Sequence, residues 1–149
     1  MDGRTVYTLG TSNRTPAEFL ALLGALGAEV VIDVRRFPRS RHRHFNQDQL
    51  ALLLQRGSID YVYLGDELGG YRRGGYGAFV ATEQFRHGLR RVEALARERT
   101  IVLVCAERLP WRCHRRFIGV EMERAGFTVS HIIDEGRSWQ PKSAVDQAP

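Results

Sequence analysis

The chain has 149 residues, 43% hydrophobic and 26% charged, proportions that suit one globular domain and exclude a disordered chain or a disulfide-framed secreted one. No apolar run approaches the roughly 20 residues of a membrane span. Met1-Asp2-Gly3-Arg4 has none of the features of a signal peptide, so a cytoplasmic protein with two reduced thiols is expected. The formal net charge is +5, and the segment Arg35 to His44 holds five arginines and no acid; outside it basic and acidic residues balance at 17 each, so the net charge sits in one loop.

Taken in order, the chain alternates short apolar runs with helical patterns. Thr5-Val6-Tyr7-Thr8-Leu9 reads as a strand closed by Gly10-Thr11-Ser12-Asn13. Thr15-Pro16-Ala17-Glu18 carries a capping box with proline at the first helical position, and Phe19, Leu20, Leu22, Leu23 and Leu26 give that helix a buried face before Gly27 ends it. Val30 to Val34 is a second strand that runs directly into the arginine loop. A helix over about Asn46 to Arg56 leads through Gly57 to a third strand, Ile59 to Leu64. A glycine-rich connection, Gly65 to Gly77, separates it from a helix near Thr82 to Arg99. Ile101 to Cys105 is the fourth strand, about Cys113 to Ala125 the fourth helix, and Phe127 to Ile133 the fifth strand. The expectation is a single three-layer α/β domain over residues 1–136, with a mainly parallel five-stranded sheet and helices on both faces; residues 137–149 read as a polar tail.

Ligands of open parallel sheets bind beyond the carboxyl ends of the strands. That edge would collect Ser12 and Asn13 after the first strand, Asp33 and Arg35 after the second, Cys105 and Glu107 after the fourth, and Cys113-His114-Arg115 at the next helix start. Cys105 and Cys113 are the thiol candidates, because a helix N-terminus and nearby guanidinium charge lower a thiol's pKa. His114 is a proton carrier beside them. Asp33 is either catalytic or holds Arg35 or a loop amide in place. Ser12, Asn13, Arg35, Ser40, Glu107 and Arg115 are candidate anion or substrate contacts, since guanidinium forks suit phosphate and sulfate. Arg39, Arg41, Arg43, Arg72 and Arg73, with Tyr71 and Tyr76 for stacking, are the alternative, a nucleic-acid surface. His131 reads as a satisfied core residue. The two thiols and one histidine lack standard zinc spacing, so no metal is expected, nor any cofactor.

In these motifs the chain resembles the family known as domain of unknown function 488. The likeness spans about Thr5 to Ile133. It rests on Leu9-Gly10-Thr11-Ser12-Asn13-Arg14, Asp33-Val34-Arg35 with Pro38 and Ser40, Leu68-Gly69-Gly70, and Cys105-Ala106-Glu107 followed by Cys113-His114-Arg115. Thr11 stands where members of that family usually carry histidine. The resemblance implies a fold and a site but no reaction. A fainter resemblance is to rhodanese-like sulfurtransferases, through Ile32-Asp33-Val34-Arg35 and the run ending at Cys105. The loop after Cys105 is longer than theirs, with Glu107 to repel an anion and Pro110 to remove an amide donor, which argues against sulfur transfer.

The leading expectation is an enzyme acting on a small phosphorylated or otherwise anionic ligand, with Cys105 or Cys113 as thiol, His114 moving a proton, and Arg35 and Arg115 clamping the anion. The alternatives are a nucleic-acid-binding or processing protein led by the arginine loop, and an interaction domain without chemistry. No membrane partner is expected.

Overall fold

The computed structural model describes residues 4–140. Met1 to Gly3, read above for signal features, and residues 141–149 of the expected tail lie outside them. The strands are β1 (Thr5–Gly10), β2 (Val30–Asp33), β3 (Asp60–Tyr63), β4 (Ile101–Cys105), β5 (Thr128–Asp134) and β6 (Arg137–Trp139). The helices are α1 (Pro16–Leu26), α2 (Gln47–Arg56), α3 (Gly65–Leu68), α4 (Tyr76–Phe79), α5 (Glu83–Glu98) and α6 (Arg115–Arg124). They form the expected α/β domain around one sheet, in the order β3-β2-β4-β1-β5-β6. β1 to β5 are all parallel, and β6 alone runs antiparallel to β5.

Both faces of the sheet are covered, as the nearly continuous apolar runs require. Alternate residues of each strand serve opposite faces. Leu9, Val31, Val102 and Val104 pack with Phe19 and Leu23 of α1 and Leu50, Leu53 and Leu54 of α2. Val6, Val30, Ile32, Ile101, Leu103 and Cys105 pack on the other face with Leu68, Phe79, Phe85, Leu89, Ile118 and Met122, from α3 to α6. Cys105 thus continues the alternation of β4 and points toward the side that carries α6.

The start of α1 follows its sequence signals. The Thr15 amide donates to Glu18 Oε1 at 2.7 Å, the Glu18 amide donates to Thr15 Oγ1 at 3.1 Å, and Gly27 takes a left-handed φ of 70° to end the helix.

Three departures bear on the site. The sheet has six strands where five were expected. Gly136, at φ 73°, turns the chain so that Asp134 pairs with Arg137 and His131 with Trp139, and the Trp139 ring lies 5.4 Å from that of His131. The first three residues of the expected tail are therefore a strand. The glycine-rich connection holds two one-turn helices, α3 and α4. The fourth long helix starts at Arg115 rather than Cys113, because Pro110 opens a 3-10 turn over Pro110–Arg112 that leaves Cys113 extended at φ −128°.

Candidate functional site

The parallel registers set the carboxyl ends of β2, β4 and β1 side by side, with Gly10 opposite Cys105 and Asp33 opposite Val104. Cys105 lies between them at the middle of this edge. The chain after Cys105 passes close over β1, so a side chain at position 10 would collide with the Glu107 carbonyl. Thr11, buried at the end of β1, donates its amide to the Cys105 carbonyl at 2.7 Å.

The loop that leaves β4 returns Cys113 directly onto Cys105, their Sγ atoms 3.0 Å apart. Two further groups fix the pair. Arg115 Nη1 donates to Cys105 Sγ at 2.9 Å, and the Arg115 amide donates to Cys113 Sγ at 3.4 Å. Cys113 Sγ is 3.6 Å from His114 Nδ1. The other nitrogen of that ring, Nε2, is 3.0 Å from the Val34 carbonyl. A carbonyl can only accept, so Nε2 carries the proton and Nδ1 holds a free lone pair beside Cys113, whose single S–H is donated to Cys105. Gly70 makes room for the ring, since a Cβ there would sit 3.1 Å from Nδ1.

The charge state follows from burial. Arg115 is fully buried, its Nη atoms reach the Glu107 and Arg108 carbonyls at 2.6 and 3.0 Å, and its Nε has no partner. Among the described residues no carboxylate pairs with it. A buried cation needs a counter-charge, and the acidic group that its guanidinium touches is the Cys105 thiol, at 2.9 Å. Burial pushes that thiol up, but the Cys113 hydrogen bond and the Arg115 charge outweigh it and hold Cys105 at about 5. Cys113 moves the opposite way, raised by its hydrogen bond to Cys105, by burial and by the charge of Cys105. Burial also lowers His114. These shifts favour ionisation at Cys105 over Cys113 and the neutral form of the His114 imidazole.

The pair opens on a cleft of about 650 Å³ lined by Arg35, Arg36, Phe37, Arg39, Gly70, Tyr71, Tyr76, Ala106, Glu107 and Arg112 besides Cys105, Cys113 and His114. This brings together Cys105, Cys113, His114 and Arg115, along with Arg39 and Glu107. The Glu107 carboxylate turns back to accept the Leu109 amide at 3.0 Å.

Other candidates are placed differently. Asp33 is wholly buried and fully engaged: it accepts from the Arg35 amide, Arg35 Nε and Nη2, and Tyr61 Oη, at 2.7 to 3.1 Å. Arg35 Nη1 donates to the Phe45 carbonyl at 2.7 Å, so the Nε–Nη2 edge is committed to Asp33 and the side chain braces the cleft wall. Ser12 and Asn13 lie outside the cleft lining and accept from Arg108 Nε and Nη2 at 3.3 and 2.9 Å; Asp134 also pairs with Arg108. Ser40 Oγ accepts the His42 amide at 3.0 Å within its own loop. Arg41, Arg43 and Arg73 are exposed and away from the cleft, whereas Arg72 lies 3.9 Å over the Phe79 ring and donates to the Gly69 and Asp66 carbonyls. His131 is buried and neutral, 2.7 Å from Thr8 Oγ1, and burial lowers it to about 3. Arg36, Phe37 and Arg112 line the cleft without having been singled out; adjacency to Arg35 and to Cys113 was the available signal. Among the described residues no three His, Cys, Asp or Glu side chains converge on a point that could hold a metal ion, and no helix is long and apolar enough to cross a membrane.

The chain belongs to the family described as domain of unknown function DUF488, whose profile matches residues 15–120. No curated protein and no solved structure matches it, so the fainter rhodanese-like resemblance gains no support.

Proposed function

We propose that this chain is an enzyme in which the Cys105 thiolate is the nucleophile toward a small phosphorylated or otherwise anionic substrate. One observation carries the reading: Arg115 is buried without a carboxylate, and its counter-charge is a sulfur on the floor of an open cleft. A thiolate at neutral pH is the reactive form of cysteine. Arg36, Arg39 and Arg112 border the same cleft, and none of them pairs with a carboxylate among the described residues, so the entrance favours anions. His114 Nδ1 is the acceptor for a proton released at the site.

The test is the pH dependence of alkylation at each cysteine, followed by peptide mass spectrometry on the native protein. Cys105 is expected to react with an apparent pKa near 5 and Cys113 only well above the ordinary thiol range. An ordinary value at Cys105, near ~8.5, would overturn the proposal.

A second reading has its own observation. Arg39, Arg41 and Arg43 are exposed on the loop that also carries exposed Phe37, whose ring lies 6.0 Å from that of exposed Tyr71, a combination that suits single-stranded nucleic acid. It requires oligonucleotide binding that weakens steeply with salt and with R39A, R41A and R43A.

A further inference from the structure

We infer that Cys113 is a resolving thiol, and that the cleft carries out thiol–disulfide exchange with a low-molecular-weight disulfide bearing carboxylates. The inference rests on the reading of Cys105 as a thiolate and names the substrate class that reading leaves open. A nucleophile that only transferred a phosphoryl or acyl group would need no second thiol in contact with it. Here two thiols from opposite ends of an eight-residue separation meet at 3.0 Å on the floor of the cleft. About 1 Å more brings them to the ~2.05 Å of a disulfide bond.

The neighbouring groups suit both steps. In the first, Cys105 Sγ attacks one sulfur of the disulfide R–S–S–R′. A Cys105–S–S–R bond forms, the substrate S–S bond breaks, and R′S⁻ leaves and takes a proton from solvent. Cys105 is then neutral. That removes the hydrogen-bonded anion that had kept Cys113 protonated, and it leaves the buried Arg115 guanidinium without a counter-charge. Cys113 is the nearest group able to supply one: the Arg115 amide already donates to its Sγ at 3.4 Å, and His114 Nδ1 stands 3.6 Å away to take its proton. In the second step Cys113, as thiolate, attacks Cys105 Sγ. The Cys105–Cys113 bond forms, the mixed disulfide breaks and RS⁻ departs. The net change is a two-electron reduction of the substrate to two thiols and a two-electron oxidation of the cysteine pair. The ionisation passes from one sulfur to the other across a fixed cation, and the rim arginines Arg36, Arg39 and Arg112, none paired with a carboxylate among the described residues, select substrates with carboxylates.

The experiment is a single turnover of the full chain with glutathione disulfide, read by intact-protein mass spectrometry and by counting released thiol. The wild type is expected to lose two hydrogens, release two equivalents of thiol and accumulate no adduct. Cys113→Ser is expected to stop at a mixed disulfide on Cys105 with one equivalent released. His114→Gln is expected to accumulate the mixed disulfide and to resolve it roughly 10²-fold more slowly than the wild type, the loss typical of a missing general base. The inference is overturned if the wild type accumulates the adduct without closing the Cys105–Cys113 bond, or if Cys113→Ser still releases two equivalents. It is also overturned, with the nucleophile reading intact, if Cys105 alkylates with a low pKa yet the wild type neither closes nor forms an adduct. An ordinary Cys105 pKa would sink both readings together.

Discussion

If Arg115 is held in the interior by a thiolate, removing either charge should cost far more than its packing alone, and removing both should restore most of the loss. Two magnitudes set the scale. Unit charges at the 2.9 Å separation of Arg115 Nη1 and Cys105 Sγ attract by about 6 kcal/mol at an effective dielectric constant of ~20. Breaking a buried ion pair by deleting one partner generally costs ~3–5 kcal/mol. Cys105→Ala and Arg115→Met are each expected to lose about 3–5 kcal/mol in urea unfolding, and the double variant no more than about 2, because a buried pair exchanged for apolar groups is nearly neutral. The pH dependence has a defined sign. The folded value of Cys105 lies below its unfolded value, so its stabilisation is complete above about 9 and is lost as pH falls through about 5. The difference in stability between wild type and Cys105→Ala should therefore shrink steadily across that window. Single losses that add within ~0.5 kcal/mol in the double variant would refute the ion pair, and with it the thiolate.

Arg39→Ala with Arg112→Ala should lower the rate of Cys105 alkylation by iodoacetate several-fold while leaving that by neutral iodoacetamide unchanged, and added salt should mimic the substitutions; equal loss with both reagents would point to a damaged site instead. Asp33→Ala strands the buried Arg35 guanidinium and should destabilise the fold by about 3–5 kcal/mol without moving the Cys105 alkylation pKa, since Asp33 faces Arg35 and Tyr61 and not the thiols. His131 has a folded pKa of about 3, below its ordinary 6.5, so it contributes stability above pH 6.5 that is lost as pH falls. His131→Gln should shift acid unfolding, followed by circular dichroism, to lower pH; an unchanged midpoint would mean that His131 is not what the acid attacks.

Much of this site was written in local sequence. The apolar runs of β2 and β4, the capping box at Thr15 and Glu18, and the placement of Cys105 and Cys113-His114-Arg115 at strand and helix ends all follow from periodicity and capping. The partition of the arginines did not. Whether Arg35 serves a ligand or its own Asp33, and whether Ser12 and Asn13 face a cleft or Arg108, is decided by contacts between residues as much as 96 positions apart, which no local pattern encodes. Strand β6 escaped for another reason: three residues are too few to show alternation, and their place is fixed by Trp139 on His131 and by the turn at Gly136. The turns α3 and α4 likewise sit in a glycine-rich stretch whose composition signals loop, and tertiary contacts such as Tyr76 Oη to the Leu68 carbonyl, at 2.6 Å, hold them.

β4 is hydrogen-bonded on both sides, to β2 and to β1, and its residues are all buried. Its amides should exchange with solvent deuterium only through complete unfolding, whereas Cys113 and His114, held by local turn bonds such as the Cys113 amide to the Pro110 carbonyl at 3.2 Å and not by a sheet, should open at a lower free energy. On that pattern of exchange the two sulfurs of the cleft would sit in different cooperative units, Cys105 anchored in the sheet and Cys113 on the side that moves, so that the contact between the thiols would be parted and remade by one side alone.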